Sequence, residues 1–133
     1  MATIRLRTVT EEDAHFLCAV MNTDRVLEAL NEVPTTLGDW QSAIREWRND
    51  DDEEDYIIFQ DEIPVGWLGI NGLSSADSTV FLKLVALLPQ YQGLGIGAAA
   101  IRQVIEMLRQ RGYNRFYAYD TYFGYIRPYA PVS

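Results

Sequence analysis

Pro89-Gln90-Tyr91-Gln92-Gly93-Leu94-Gly95-Ile96-Gly97-Ala98 is the stretch whose surroundings decide how this sequence folds. Upstream, residues 79–88 form a long and nearly continuous apolar run, the pattern of a strand buried on both faces. Downstream, Ala100, Ile101, Val104, Ile105 and Leu108 recur at helical spacing. Arg109 and Arg111 then fall in the last turn, and Gly112 takes the C-cap position. Residues 113–119 read as a further strand. In this strand, glycine loop, helix, strand unit, three alternate glycines remove side chains where the chain turns. Backbone N–H groups are left to point outward at the positive end of a helix dipole, which makes a phosphate site. The plainer alternative is a tight turn with close helix–strand packing and no ligand. Placement after a buried strand, with a glutamine ahead of the glycines, favours the anion site.

The rest of the chain supplies the elements around this unit. Residues 3–9 alternate like a strand, and Thr10 stands as a helix N-cap with Glu11, Glu12 and Asp13 complementing the dipole. Ala14, Leu17, Cys18 and Met21 form one apolar face, which places Cys18 in the core and the single histidine, His15, on the surface. A short helix over residues 25–30 is stopped by Pro34, and a clear helix over residues 37–48 buries Trp40, Ala43, Ile44 and Trp47. The acidic run Asp50-Asp51-Asp52-Glu53-Glu54-Asp55 reads as a solvated loop, with a patch attracting cations or amines as the sharper alternative. It lacks the glycine and acid spacing of a calcium loop. Residues 56–59 and 65–70 read as a hairpin turning at Asp61-Glu62. Gly66 and Gly69 mark a bulge or a close backbone approach within it, and residues 74–78 make the next turn.

Composition bounds the function. With 133 residues, 48% hydrophobic and 23% charged, and no repeat or linker, the chain is expected to form one domain over residues 1–133. The net charge of −8 argues against nucleic-acid binding. Residues 1–98 carry 6 basic and 17 acidic groups, against 5 and 2 in residues 99–133. A cationic acceptor is therefore weakly attracted to the first part. One cysteine and one histidine leave no disulfide and no zinc set, so no metal is expected. No apolar run approaches the roughly 20 residues of a membrane helix, and residues 1–10 do not read as a signal peptide. A cytoplasmic location and no membrane partner are the expectations.

Gln92-Gly93-Leu94-Gly95-Ile96-Gly97 resembles the [Arg/Gln]-x-x-Gly-x-[Gly/Ala] signature of the GNAT superfamily of acyl-CoA N-acyltransferases. Leu87-Leu88-Pro89-Gln90-Tyr91 and Pro64-Val65-Gly66-Trp67 are similar to the approach and hairpin segments of that family, and the element order agrees over residues 3–119. The resemblance implies an α/β (α+β mixed sheet) GNAT fold, with acetyl-CoA as co-substrate and a small amine or peptide as acceptor. It implies that Gln92, Gly93, Leu94, Gly95, Ile96, Gly97 and Ala98 hold the pyrophosphate. It also implies that Val85, Ala86 and Leu87 pair with the pantetheine arm, a form of strand addition. An acceptor region then falls at residues 22–40, where Asn31, Glu32 and Thr35 stand.

The resemblance weakens after residue 119. Family members continue with a helix and two strands, and that helix presents a tyrosine acid. Here the corresponding positions are Gly124 and Pro131, and Tyr129 is the nearest tyrosine, flanked by Pro128 and Pro131, which oppose a helix. Tyr122, Tyr125 and Tyr129 read as aromatic anchors. The fold is thus expected to lack the usual C-terminal helix and last strands, leaving a sheet edge for a homodimer partner or the tail to cover. A truncated or altered reading frame accounts for the shortness equally. No general base is assigned: Glu32, Asp61 and Asp120 are the carboxylates near a cleft, each read as a solvated residue. The competing function is a non-catalytic acyl-CoA-binding or interaction protein. Gly93-x-Gly95-x-x-Ala98 also fits a dinucleotide fingerprint, but Asp120 lies too far on and too little chain follows.

Overall fold

The computed structural model describes residues 3–30 and 33–118. Local chemistry sets its helix starts. The Thr36 hydroxyl accepts from the Asp39 amide at 3.1 Å, and the Asp39 carboxylate accepts from the Thr36 amide at 2.8 Å. This reciprocal cap opens α3 (Leu37–Arg48). The Asp13 carboxylate accepts from the Thr10 amide at 2.7 Å and pairs with Arg7 at 2.7 Å. It thereby ties β1 (Ile4–Thr8) to a 3₁₀ turn, Glu11–Asp13, that leads into α1 (Ala14–Met21). A shorter helix, α2 (Asp24–Leu30), follows.

The strands β2 (Glu53–Gln60), β3 (Ile63–Asn71) and β4 (Thr79–Leu87) come next, then α4 (Ile96–Gln110) and β5 (Arg115–Ala118). The sheet runs β1-β2-β3-β4-β5, antiparallel except for the parallel β4–β5 pair joined through α4. Ile96, Ala100, Ile101, Val104 and Leu108 of α4 pack on one face, against Ile58, Leu68, Val80 and Phe116. On the opposite face Leu17, Val20, Val26 and Ile44 from α1–α3 meet Ile57, Trp67, Leu84 and Ala86. This is the mixed α/β architecture expected from the sequence, with a five-stranded mixed sheet and four helices among the described residues. Burial at 0% exposure puts Leu17, Ile44, Leu68 and Val104 among the residues whose truncation to alanine costs about 2–5 kcal/mol.

Three expectations are corrected. Glu53, Glu54 and Asp55 do not belong to a solvated loop; they open β2, and Asp55 is only 3% exposed. Pairing with Asn71, Ile70 and Gly69 satisfies their backbone, so that hydrogen bonding extends the strand into charged sequence. β4 is not buried on both faces, since Phe81 is 37% exposed and Lys83 and Val85 are half-buried. Cys18 is half-buried at the rim of α1; its place in the core is taken by Val20. His15 is exposed, as expected.

Candidate functional site

Gly93 and Gly95 carry the loop through left-handed φ values of +74° and +81°. L side chains with a Cβ disfavour this region, so glycine is required by backbone conformation. Space is not the reason: a Cβ at either position has nothing within 4 Å. Gly97 differs. It lies in the first turn of α4, and a Cβ there would meet Val85 Cγ1 at 3.5 Å, so it seats the helix on β4. Gly95 is the N-cap, and Ala99 N is bonded to Gly95 O at 3.1 Å. The amides of Ile96, Gly97 and Ala98 precede that first helical donor and lack intrahelical partners. Leu94 is 65% exposed beside them, while Ile96 is buried in the core. The Gln92 amide nitrogen donates to the Leu87 carbonyl at 3.0 Å and folds the loop back on the strand end; its Oε1 is buried without a partner among the described residues.

Val85, Ala86 and Leu87 pair with Leu68, Trp67 and Gly66 of β3. On the other side, pairing with β5 runs from Thr79 to Leu82 only, among the described residues. Among the described residues, the backbone of Val85 and Ala86 has no strand partner on that side, where the strand leads to the glycine loop. Gly66 permits this arrangement. A Cβ on it would strike the Ala86 carbonyl oxygen and lie 2.5 Å from Leu87 Cδ2. The close approach expected at this glycine is what the structure contains.

Just where the β4–β5 pairing stops, a second constellation appears that the sequence reading missed. Gly69 pairs with Leu84 and Ile70 with Leu82, so Lys83 is one residue in excess, a bulge. This is the only lysine of the chain. Its ammonium contacts Glu53 and lies 3.1 Å from Asp55 Oδ1, which also accepts from Trp67 Nε1 at 3.0 Å. Nζ sits 4.2 Å from the Trp47 ring centre and 5.2 Å from that of Trp67; the two rings stack at 5.1 Å. Room for the cage comes from Gly69, where a Cβ would lie 2.5 Å from Asp55 Oδ1 and 2.7 Å from Lys83 Cε. Burial, reinforced by Glu53, pushes the Asp55 carboxyl up to about 7 against the pull of Lys83. The signals available in sequence were a lysine alone in an apolar strand and the alternation Glu53, Asp55, Ile57.

The Glu54 carboxylate turns to the α4 face. Burial opposes its ionisation, but Arg111 at 2.8 Å and the Tyr56 hydroxyl prevail and hold it below the ordinary range. Thr35 is occupied structurally, accepting from Trp40 Nε1 at 2.7 Å and bonded to Asn22. Asp61 closes the β2–β3 turn, accepting from the Thr3 amide at 3.0 Å. Asn31, Glu32, Asp120, Tyr122, Tyr125 and Tyr129 lie outside the described residues. Among the described residues no cluster of three or more His, Cys, Asp or Glu is placed to hold a metal ion, and no helix is long and apolar enough to cross a membrane.

Similarity to known proteins follows this geometry. An acetyltransferase from Thermus thermophilus superposes with a TM-score of 0.78 at 25% identity, covering 87% of this chain and 75% of its own. RimL, a ribosomal L7/L12 alpha-N-protein acetyltransferase solved with coenzyme A, has a TM-score of 0.77 at 17% identity over 87% and 70% of the two chains. Spermidine N-acetyltransferase from Vibrio cholerae, in complex with CoA and spermine, has 0.75 at 14% identity over 87% and 70%. No match was found among curated proteins. The model of the Acetyltransferase (GNAT) family matches residues 19–124, a span that includes β4, the glycine loop and α4. The chain belongs to the GNAT acetyltransferase family.

Proposed function

We propose that this chain is an N-acetyltransferase that moves an acetyl group from acetyl-CoA to a primary amine by direct attack. The observation carrying the reading is the left-handed turn at Gly93 and Gly95, which brings the first amides of α4 to the end of β4, where Val85 and Ala86 have no β5 partner among the described residues. In this reading the loop amides from Gln92 to Ala98 hold the pyrophosphate, where both the amides and the helix dipole favour negative charge. Val85, Ala86 and Leu87 offer strand-like hydrogen bonds to the amides of the pantetheine arm. The neutral amine attacks the thioester carbonyl carbon and forms the C–N bond, the C–S bond breaks, and the proton lost from the nitrogen ends on the departing sulfur, giving the amide and the free CoA thiol. The chain's contribution is orientation of the two reactants and polarisation of the carbonyl.

RimL and the spermidine enzyme, which take a protein amino group and a polyamine, support an amine acceptor, either small or peptidic. The unpaired Cys18 supports a cytoplasmic setting, and a second copy covering the sheet beyond β5 is part of the same proposal.

Calorimetric titration with acetyl-CoA, with NADH as control, tests the reading. Binding of acetyl-CoA alone, followed by thiol release in an amine screen, supports it. Binding without thiol release for any amine makes the chain a non-catalytic acyl-CoA-binding protein. No binding by the folded chain overturns both.

A further inference from the structure

Lys83 stands at the place on β4 where strand pairing changes hands. Leu82, the residue before it, is the last to pair with β5 among the described residues, opposite Ala118. Val85, Ala86 and Leu87, just after it, pair with the pantetheine arm in the proposed function. An arm anchored at the glycine loop enters at the C-terminal end of β4 and runs back along the strand, so its sulfur arrives last. The β5 pairing closes the way at Leu82, which leaves the thioester beside residues 83 and 84. An added strand lies roughly 4.8 Å from its neighbour, a distance shorter than the reach of a lysine's four-carbon stem. The bulge frees Lys83 from the alternation of the strand and permits its side chain to be re-aimed. That side chain is 25% exposed, so it is not sealed beneath the tryptophans. A proton acceptor is already in contact: the ammonium lies 3.1 Å from Asp55 Oδ1. Burial and Glu53 push the Asp55 carboxyl up to about 7, so it takes a proton more readily than an ordinary carboxylate. No other lysine in the chain competes.

We propose that Lys83 is a self-acetylation site, taking an acetyl group from acetyl-CoA bound to the same chain. The inference rests on the proposed acetyl-CoA site. The Lys83 ammonium gives one proton to the Asp55 carboxylate, and the neutral amine swings from its cage to the strand edge. Its nitrogen attacks the thioester carbonyl carbon and forms the C–N bond. The C–S bond breaks, and the second proton lost from the nitrogen ends on the departing sulfur. The products are N-acetyl-lysine, a protonated Asp55 and the free CoA thiol. The new amide is uncharged and no longer neutralises Glu53 and Asp55, so the modification removes the cation that bridges β2 and β4.

The test incubates the full chain with acetyl-CoA and reads intact mass and peptide maps, beside a calorimetric titration of the same sample with acetyl-CoA. A gain of about 42 Da, mapped to Lys83, is expected. At saturating acetyl-CoA its rate should not depend on chain concentration, as transfer within one chain requires. S-acetyl-N-acetylcysteamine, which lacks the pyrophosphate, should label Lys83 about tenfold more slowly at equal concentration, because nothing anchors it beside the strand. Lys83→Arg, which keeps the charge, should show no gain. Acetyl-CoA binding without a gain at Lys83 overturns the proposal and leaves the acetyl-CoA reading standing. Equal labelling by the two thioesters, or a rate that rises with chain concentration, overturns it as well. Absence of acetyl-CoA binding by the folded chain overturns both.

Discussion

The ammonium of Lys83 lies 3.1 Å from Oδ1 of Asp55 in a bulge of β4, on the α1–α3 face of the sheet. Three strands meet in that contact: Asp55 comes from β2, Trp67 and the vacancy at Gly69 from β3, and Lys83 from β4. The carboxylate is almost wholly buried and the lysine side chain is 25% exposed, so water screens the pair only from the lysine side.

Replacing Lys83 by methionine leaves Glu53 and Asp55 facing each other without a cation. The expected loss at a pH above the Asp55 value of about 7 is about 2 kcal/mol, less than a fully buried pair would cost because the lysine is partly wet. Below that value Asp55 is protonated, and the loss should shrink. Urea unfolding of both proteins on the two sides of this pH checks the expectation; an equal loss at both would mean that Lys83 acts through packing alone.

Stability should fall as pH rises from about 4 towards 7. Asp55 has a folded value of about 7 against 3.8 for the unfolded chain, so the folded state binds the extra proton. Its stabilisation is complete below the unfolded value and is lost as pH passes through the folded one. The fall is expected at about 1–3 kcal/mol, below the ~4 kcal/mol of an uncoupled group because Lys83 favours the carboxylate. Asp13, Asp39, Asp52 and Glu54 are held below their ordinary values and act in the opposite sense, at lower pH. Thermal midpoints across this range should slope downward for the parent and be flat for Asp55→Asn.

Gly66→Ala should destabilise by about 2 kcal/mol, since the new methyl meets the Ala86 backbone oxygen, which cannot rotate away. Denaturant titration measures this directly. An unchanged midpoint would show that β3 and β4 can separate to admit a side chain.

Gly95→Ala should cost about 1 kcal/mol from backbone strain alone, because no atom lies near the new Cβ. Asparagine, which tolerates left-handed φ better, should recover part of it. If the loop amides hold the pyrophosphate, acetyl-CoA affinity falls in the alanine variant while the fold survives. Full affinity in a folded Gly95→Ala protein would remove the loop from the binding site.

How much of this was legible follows from which interactions are local. The helix over residues 37–48 was readable because its cap and apolar spacing lie within its own sequence, and it is found at Leu37–Arg48. The turn into α4 was readable because glycine is the signature of left-handed backbone. The acidic run was misread for the opposite reason. Charge density predicts solvation, but residues 53–55 gain backbone partners from Asn71, Ile70 and Gly69, and Asp55 gains Lys83 and Trp67 from far along the chain. Cys18 was misplaced because the buried face of α1 runs through Ala14, Leu17, Val20 and Met21, a choice of helical phase that tertiary packing makes.

By itself, the sequence determined the order of elements, the glycine turn ahead of α4 and the resemblance to the GNAT family, because each is written in spacing over a few neighbouring residues. Tertiary structure alone decided that the only lysine sits in a bulge against a pair of stacked tryptophans, beside an almost wholly buried carboxylate 28 positions earlier. Burial and strand register are properties of pairings between distant segments, and one residue of register moves a side chain to the other face of the sheet.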